Sequence, residues 1–282
     1  MDGFLFLDKP VGITSNDLLF QVKRKLGIKK IGHTGTLDPL ASGLMILCFG
    51  KATKLAHHFQ DLDKKYTGSI LYGSHYDTYD VTGNVLSSAE VLFTETELDL
   101  KISEFVKTYE QEPPMYSAIK IGGKKLYEQA RKGIEIDRPK RLVHIHDFKR
   151  TSEFVNAEHR FYTHVSKGTY VRSLAVDLAR SLKTEGAVSS LRRIQVGHYS
   201  VDQAVTVDLL AKEHVLSLVD YLNSFDKLIL DDYLVHLVKN GTYLDERQIK
   251  TDKPFVVYDE NNNLIAYYEV QSVNRYQPII IF

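Results

Sequence analysis

The chain has 282 residues, 43% hydrophobic and 26% charged, which is enough apolar content for a full core, excludes a disordered, collagenous or coiled-coil protein, and suggests one large domain with a small second one. Its longest apolar runs, such as Leu44 to Phe49, fall far short of the ~20 residues of a membrane span, and no charged stretch followed by an apolar one opens it, so a soluble, cytoplasmic protein is expected. The 36 Lys and Arg balance 36 Asp and Glu unevenly: residues 201–282 carry 7 basic and 13 acidic side chains, leaving 29 and 23 in the mildly basic remainder.

Phe4-Leu5-Phe6-Leu7 predicts a short buried strand that stops at Asp8-Lys9-Pro10, because proline cannot donate to a central ladder. Thr14 or Ser15 caps the helix that follows; Leu18, Leu19, Val22 and Leu26 form its apolar stripe, and Lys23, Arg24, Lys25 and Gly27 mark its end. The segment Gly32 to Gly43 sets three glycines and Pro39 around one carboxylate, Asp38. Glycines allow tight turns and close ligand approach, while Pro39 keeps Asp38 out of the α region. Asp38 is therefore either a turn aspartate bonded to nearby amides or a carboxylate presented for chemistry on a stiff loop. Cys48, the only cysteine, lies in the apolar run and reads as a buried inert thiol, which leaves no internal disulfide and no cysteine nucleophile.

Residues 66–72 alternate as a strand does, and 97–109 has helical spacing until Pro113-Pro114 ends it. The densest basic stretch runs from 120 to 150 and includes Lys124, Lys125, Arg131 and Lys132; it is a solvated face or a phosphate-contacting surface. Residues 159–166 alternate again and lead through Gly168-Thr169 into a helix with Val171, Leu174, Leu178 and Leu182 on one side. From Pro254 a hairpin turns at Asp259 to Asn263, and Tyr276 to Phe282 adds a strand, so a small β unit is expected beyond a boundary near 226–232. His57-His58 and His144-x-His146 have no carboxylate or cysteine at ligand spacing, so no metal site is expected. No GxGxxG or GxxxxGK[ST] is present, and no cofactor is expected.

Several blocks resemble, in order, the bacterial tRNA pseudouridine synthases of the TruB family. They are Phe6 to Ser15, Gly32 to Gly43, Gly50 to Lys54, Lys64-Lys65-Tyr66, Pro113 to Ala118, Leu126 to Gly133, Ser166 to Arg172, and Leu191-Arg192-Arg193. The resemblance implies an α/β (α+β) pseudouridine synthase fold with a mixed, largely antiparallel sheet in a catalytic domain over 1–229. It also implies an RNA-gripping insertion at about 112–141 and a PUA-like β domain over 230–282. The implied activity is isomerisation of uridine 55 in the tRNA T loop by a monomer without cofactor. Asp38 would be the nucleophile, Tyr66 would stack on the base, and Arg172 would pair with Asp38. Tyr170 and Leu191 would wall the pocket, His33 would contact RNA beside the flipped base, and the basic residues of 112–141 would grip the T arm. Where the family tends to have Thr-Asp-Thr-x-Asp, this chain has Tyr76-Asp77-Thr78-Tyr79-Asp80, a departure expected to touch no catalytic position.

The chemistry suits those roles. A carboxylate can detach and return the uracil by adding to its C6 or by capturing ribose C1′, and an arginine beside it keeps it ionised and aimed. A catalytically silent tRNA-binding or RNA-chaperone protein on the same fold is the alternative. A glycoside hydrolase would need paired carboxylates ~5 to 9.5 Å apart.

Overall fold

The computed structural model describes residues 1–117, 120–121, 123–130, 133–134 and 136–282. Arg131 and Lys132, expected at the RNA surface, lie outside the described residues, and Lys124 and Lys125 are described by their backbone alone.

In chain order, β1 (Gly3–Lys9), α1 (Ser15–Leu26), β2 (Ile31–His33), β3 (Ala41–Phe49), the one-turn α2 (His57–Gln60), β4 (Lys64–Tyr72), β5 (Ser74–Tyr76) and β6 (Val85–Ser88) form the first third. Next come α3 (Glu95–Glu104), β7 (Thr108–Gln111), β8 (Lys120–Ile121), β9 (Lys124–Lys125), α4 (Leu126–Ala130), β10 (Arg141–Arg150), β11 (Glu158–Val165), α5 (Val171–Ser181) and β12 (Gly186–Val196). The rest is β13 (Tyr199–Ser200), β14 (Leu216–Ser217), α6 (Leu218–Leu222), β15 (Asp226–Leu230), α7 (Asp232–Lys239), β16 (Leu244–Asp245), β17 (Phe255–Asp259), β18 (Leu264–Ser272) and β19 (Arg275–Ile281).

Local chemistry sets the helix ends. The Thr14 hydroxyl accepts from the Asp17 amide while the Asp17 carboxylate takes the Thr14 N–H, a reciprocal cap on α1. Gly27, at φ 67°, closes its other end. The helical spacing expected through 109 ends at Glu104; Thr108–Gln111 is instead an edge strand, antiparallel to β10. The apolar spacing Leu98, Ile102, Phe105, Tyr109 continues past the turn, but pairing of Thr108 to Gln111 with the much later Arg141 to His144 decides the conformation.

The large sheet has the order β14-β1-β3-β12-β4-β11-β10-β7, with β2 beside β3 and β13 beside β12. Among the described residues β3 and β12 are its parallel pair and the other named strand pairs are antiparallel, a mixed and largely antiparallel sheet. Both faces are covered, which is why β3 reads as one unbroken apolar run. Leu5, Leu7, Met45, Leu47 and Phe49 share one core with Leu18 and Val22 of α1, Leu98 of α3, and Leu174 and Leu178 of α5. The alternate residues Phe4, Leu44, Ile46 and Cys48 share the other with Phe59, Leu218 and Leu222. Burial pushes the Cys48 thiol up to about 11, so it stays protonated and inert.

The second core also takes Val256, Tyr258, Tyr267 and Ile280 from a five-stranded sheet of order β15-β17-β18-β19-β16. That sheet buries its opposite face, including Phe255, Val257, Tyr268 and Tyr276, under Val235 and Val238 of α7. β15 straddles residues 229 and 230 and runs parallel to β17. Among the described residues no helix is long and apolar enough to cross a membrane.

Gly43, at φ 104°, is the third residue of β3 and stands where a Cβ would lie 2.2 Å from the Arg193 carbonyl oxygen. Gly27 has a positive φ too, but its Cβ would meet nothing within 4 Å. Gly27→Ala should therefore cost about 1 kcal/mol of backbone strain, and Gly43→Ala roughly 2–4 kcal/mol from strain plus backbone collision. Urea unfolding midpoints of the two variants measure the difference.

Candidate active site

Three side chains tie down the loop between β2 and β3. The Ser15 hydroxyl, at the start of α1, donates to the Leu37 carbonyl and accepts from the Leu37 amide, both at 2.9 Å. Lys9, fully buried at the end of β1, donates to the Ala41 carbonyl at 2.7 Å. Burial pushes its ammonium down to about 8, although the nearby Asp38 charge opposes this. Arg193 of β12 donates through Nε to Leu44 O at 2.8 Å and through Nη2 to Gly35 O at 3.1 Å. The Asp38 carbonyl accepts from the Ala41 amide at 3.0 Å, and the Gly12 amide donates to Pro39 O at 2.8 Å. The motif after the first strand and the Arg193 position thus converge on one purpose, holding the Asp38 backbone still.

The Asp38 side chain meets Arg172 in the first turn of α5. Arg172 Nη2 donates to Oδ1 at 3.0 Å and Nε lies 2.8 Å from Oδ2, a two-point contact that fits the planar guanidinium. Arg172 itself is 4% exposed. Its remaining donors reach the Thr78 carbonyl at 2.6 Å and the Tyr116 carbonyl at 2.9 Å, and Nη1 lies 3.6 Å from Asp80 Oδ2. Burial pushes the Asp38 pKa above its ordinary value; Arg172 opposes the shift, Asp80 adds to it and Lys9 counters it. The Asp38 side chain nonetheless keeps 34% of its surface accessible, so a substrate atom can reach it.

Two residues of the segment that carries the Tyr76 departure, Thr78 and Asp80, both of which keep the family pattern, hold the far side of the guanidinium. Asp80 is nearly buried, bonded to Thr78 and Thr82 hydroxyls at 3.0 and 2.5 Å. Its sequence signal was the closely spaced Asp77-Thr78-x-Asp80 run, but nothing local linked that run to a residue 92 positions later.

The other expected residues fall around this pair. Tyr66 on β4 pairs across to Arg193, and Leu191 on β12 pairs with Ala41, three residues past Asp38. Both are 8% exposed and share the first core with Leu37. Tyr170 caps α5, its backbone bonded on both sides to the Gln111 amide, and Arg141 lies over its ring at 5.8 Å. His33 ends β2; burial and Arg193 push its pKa down, and its Nδ1 is buried without a partner. Lys140 and Arg141 line an open groove with Lys167 and Gly168 beside this site, a basic patch to which Lys167 was not assigned from sequence. Contrary to expectation, the fold does supply His57 and His58 with a carboxylate, that of Glu269, 212 and 211 residues away.

The chain matches two family descriptions, "TruB family pseudouridylate synthase (N terminal domain)" over residues 23–171 and "tRNA pseudouridylate synthase B C-terminal domain" over residues 172–235. It is 48% identical over 283 residues to the tRNA pseudouridine synthase B of Onion yellows phytoplasma (strain OY-M), covering 100% of both chains. The protein of that name in Bacillus cytotoxicus is 38% identical over 285 residues, covering 95% of this chain and 92% of its own. In fold the chain is similar to a solved structure titled "Crystal Structure of a Cbf5-Nop10-Gar1 Complex", with a TM-score of 0.69 and 22% identity over 96% of this chain and 79% of the other. A family match over more than half of the chain, with curated relatives aligned along its full length, means that the chain belongs to the TruB family of pseudouridylate synthases.

Proposed function

We propose that this pseudouridine synthase isomerises uridine 55 in the T loop of tRNA, in the cytoplasm, with Asp38 as nucleophile. The observation that carries the reading is the accessible Asp38 carboxylate, gripped at two points by a buried arginine on a loop bonded from β1, α1 and β12. Pseudouridine formation breaks the N1–C1′ bond, turns the uracil and rejoins it through C5, so it needs an ionised carboxylate of fixed aim and a wall that retains the loose base. Tyr66 and Leu191, with Tyr170 at the head of α5, supply that wall, and stacking on Tyr66 offsets ~1 to 3 kcal/mol of the cost of flipping the base. His33 takes the RNA backbone or the neighbouring base beside the flipped nucleotide. The insertion at about 112–141, through Lys124, Lys125 and their basic neighbours, and the groove of Lys140, Arg141 and Lys167 meet the phosphates of the T arm. Residues 230–282, as a PUA-like unit, extend the RNA-binding surface. The names of the relatives above support tRNA as the substrate.

Three outcomes are expected. In single-turnover assays on an unmodified T-arm hairpin, Asp38→Asn binds RNA but forms no pseudouridine, whereas Arg172→Lys slows formation by orders of magnitude because the two-point grip is lost; normal turnover by folded Asp38→Asn removes it as nucleophile. Since burial raises the Asp38 pKa, the rate should fall as pH drops through a value above the ordinary 3.8, and Arg172→Met, which removes the cation that opposes the shift, should move that limb further up. Replacing Lys140, Arg141 and Lys167 by alanine should each reduce the slope of log K against log salt by ~0.7 to 0.9; filter-binding series at several salt concentrations measure it, and an unchanged slope returns the groove to plain solvent.

A further inference from the structure

The second core ends at the surface in a polar cluster that the reaction does not use. α2 follows the turn Gly50–Leu55 and is anchored by Phe59, 1% exposed. Its first two residues, His57 and His58, both turn their Nε2 atoms to one atom of β18: Glu269 Oε1, at 3.0 and 2.9 Å. Tyr221 OH lies 2.8 Å from His58 Nδ1, and Tyr267 OH lies 3.1 Å from His58 Nε2.

We propose that His57, His58 and Glu269 bind a divalent transition-metal ion, zinc by donor set, across the seam between the main sheet and the C-terminal sheet. The Tyr221 hydroxyl, 2.8 Å from His58 Nδ1, engages the outer ring nitrogen and leaves Nε2 facing the Glu269 carboxylate oxygen at 2.9 Å. Fixing the outer ring nitrogen by a hydrogen bond is how proteins present the inner one to a metal. All three donor atoms lie within 4.8 Å of one another. Ligands at ~2.0 to 2.1 Å from a tetrahedral zinc stand about 3.3 Å apart, so the donors need to open by only a few tenths of an ångström. His57 is 46% exposed at its side chain, which leaves a route for the ion and a fourth position for water. The role is a clip: the donors come from α2 and β18, so the bound ion holds the C-terminal sheet against the body that carries Asp38.

A second group, Asp63, His146 and His164, also offers three donors, but there His164 Nε2 stands 3.8 Å from the carboxylate and all three belong to the main body. It serves as the internal control. Untagged full-length protein is stripped with EDTA, dialysed, and titrated with Zn2+ by calorimetry and with Co2+ by visible absorption. The expected result is one saturable equivalent, tetrahedral Co2+ bands, and a thermal midpoint that rises with Zn2+. His57→Ala and Glu269→Gln, at positions exposed enough to leave folding intact, each weaken binding at least tenfold and abolish the bands, while His146→Ala leaves both unchanged. Absence of saturable binding in the parent protein, binding that survives in both His57→Ala and Glu269→Gln, or binding lost with His146→Ala each overturns the proposal.

Discussion

A buried guanidinium needs acceptors, and that requirement organises this molecule around Arg172, whose Nη1 and Nη2 both find them while Nε, 2.8 Å from Asp38 Oδ2, makes an ion-pair contact without an aligned hydrogen bond. Its acceptors are the Asp38 carboxylate, the Thr78 carbonyl and the Tyr116 carbonyl, drawn from the loop before β3, the turn after β5 and the segment that opens the basic insertion. These three pieces are remote in sequence and each is irregular in backbone. A charge taken out of water is costly, so the arrangement persists only if all three stay in place together. The same demand that draws them together aims a carboxylate at the opening. Positioning for chemistry and satisfaction of a buried charge are here one interaction.

The loop has its own dependence on Lys9, Ser15 and Arg193, none of which faces the substrate opening through a charged carboxylate. Lys9 and Arg193 are nearly or fully buried cations spent on backbone carbonyls. Lys9 also sets positive charge near Asp38, which together with Arg172 tempers the effect of burial on its ionisation. Arg192, next in the strand, turns the other way and grips Asp8 through two bonds of 3.0 and 2.6 Å, joining β12 to β1 across β3.

Much of this was legible in the sequence where the deciding forces are local. The Thr14 to Asp17 cap, the glycine after Leu26, the alternation in β4 and β11 and the stripe of α5 each announced an element whose partners lie within a turn or on the next residue but one. The glycines and proline around Asp38 announced a stiff presented carboxylate without telling what it faced. What stayed hidden depended on partners far along the chain. Thr108 to Gln111 became a strand because β10 lay beside it, Asp80 became part of the site because α5 brought Arg172 to it, and Glu269 met His57 and His58 only after the C-terminal sheet had docked. No periodicity within a window can report a contact between residues 92 or 212 apart.

The doubly covered strand β3 has one more implication. From Leu44 onward its odd residues feed one core and its even residues the other, and both sets are apolar. A slip of β3 by one residue would exchange the two sets without exposing any of them to water, so the oil-and-water pattern that usually sets strand register is silent here. What discriminates is the strand's first residues: Gly43 lies where only a hydrogen fits against the Arg193 backbone, opposite Lys9, and Leu44 offers its carbonyl to the Arg193 side chain. The segment that presents Asp38 is thus also the key that tells the central strand where to start, and a lesion there would be read twice, once at the Asp38 carboxylate and once as a misaligned sheet.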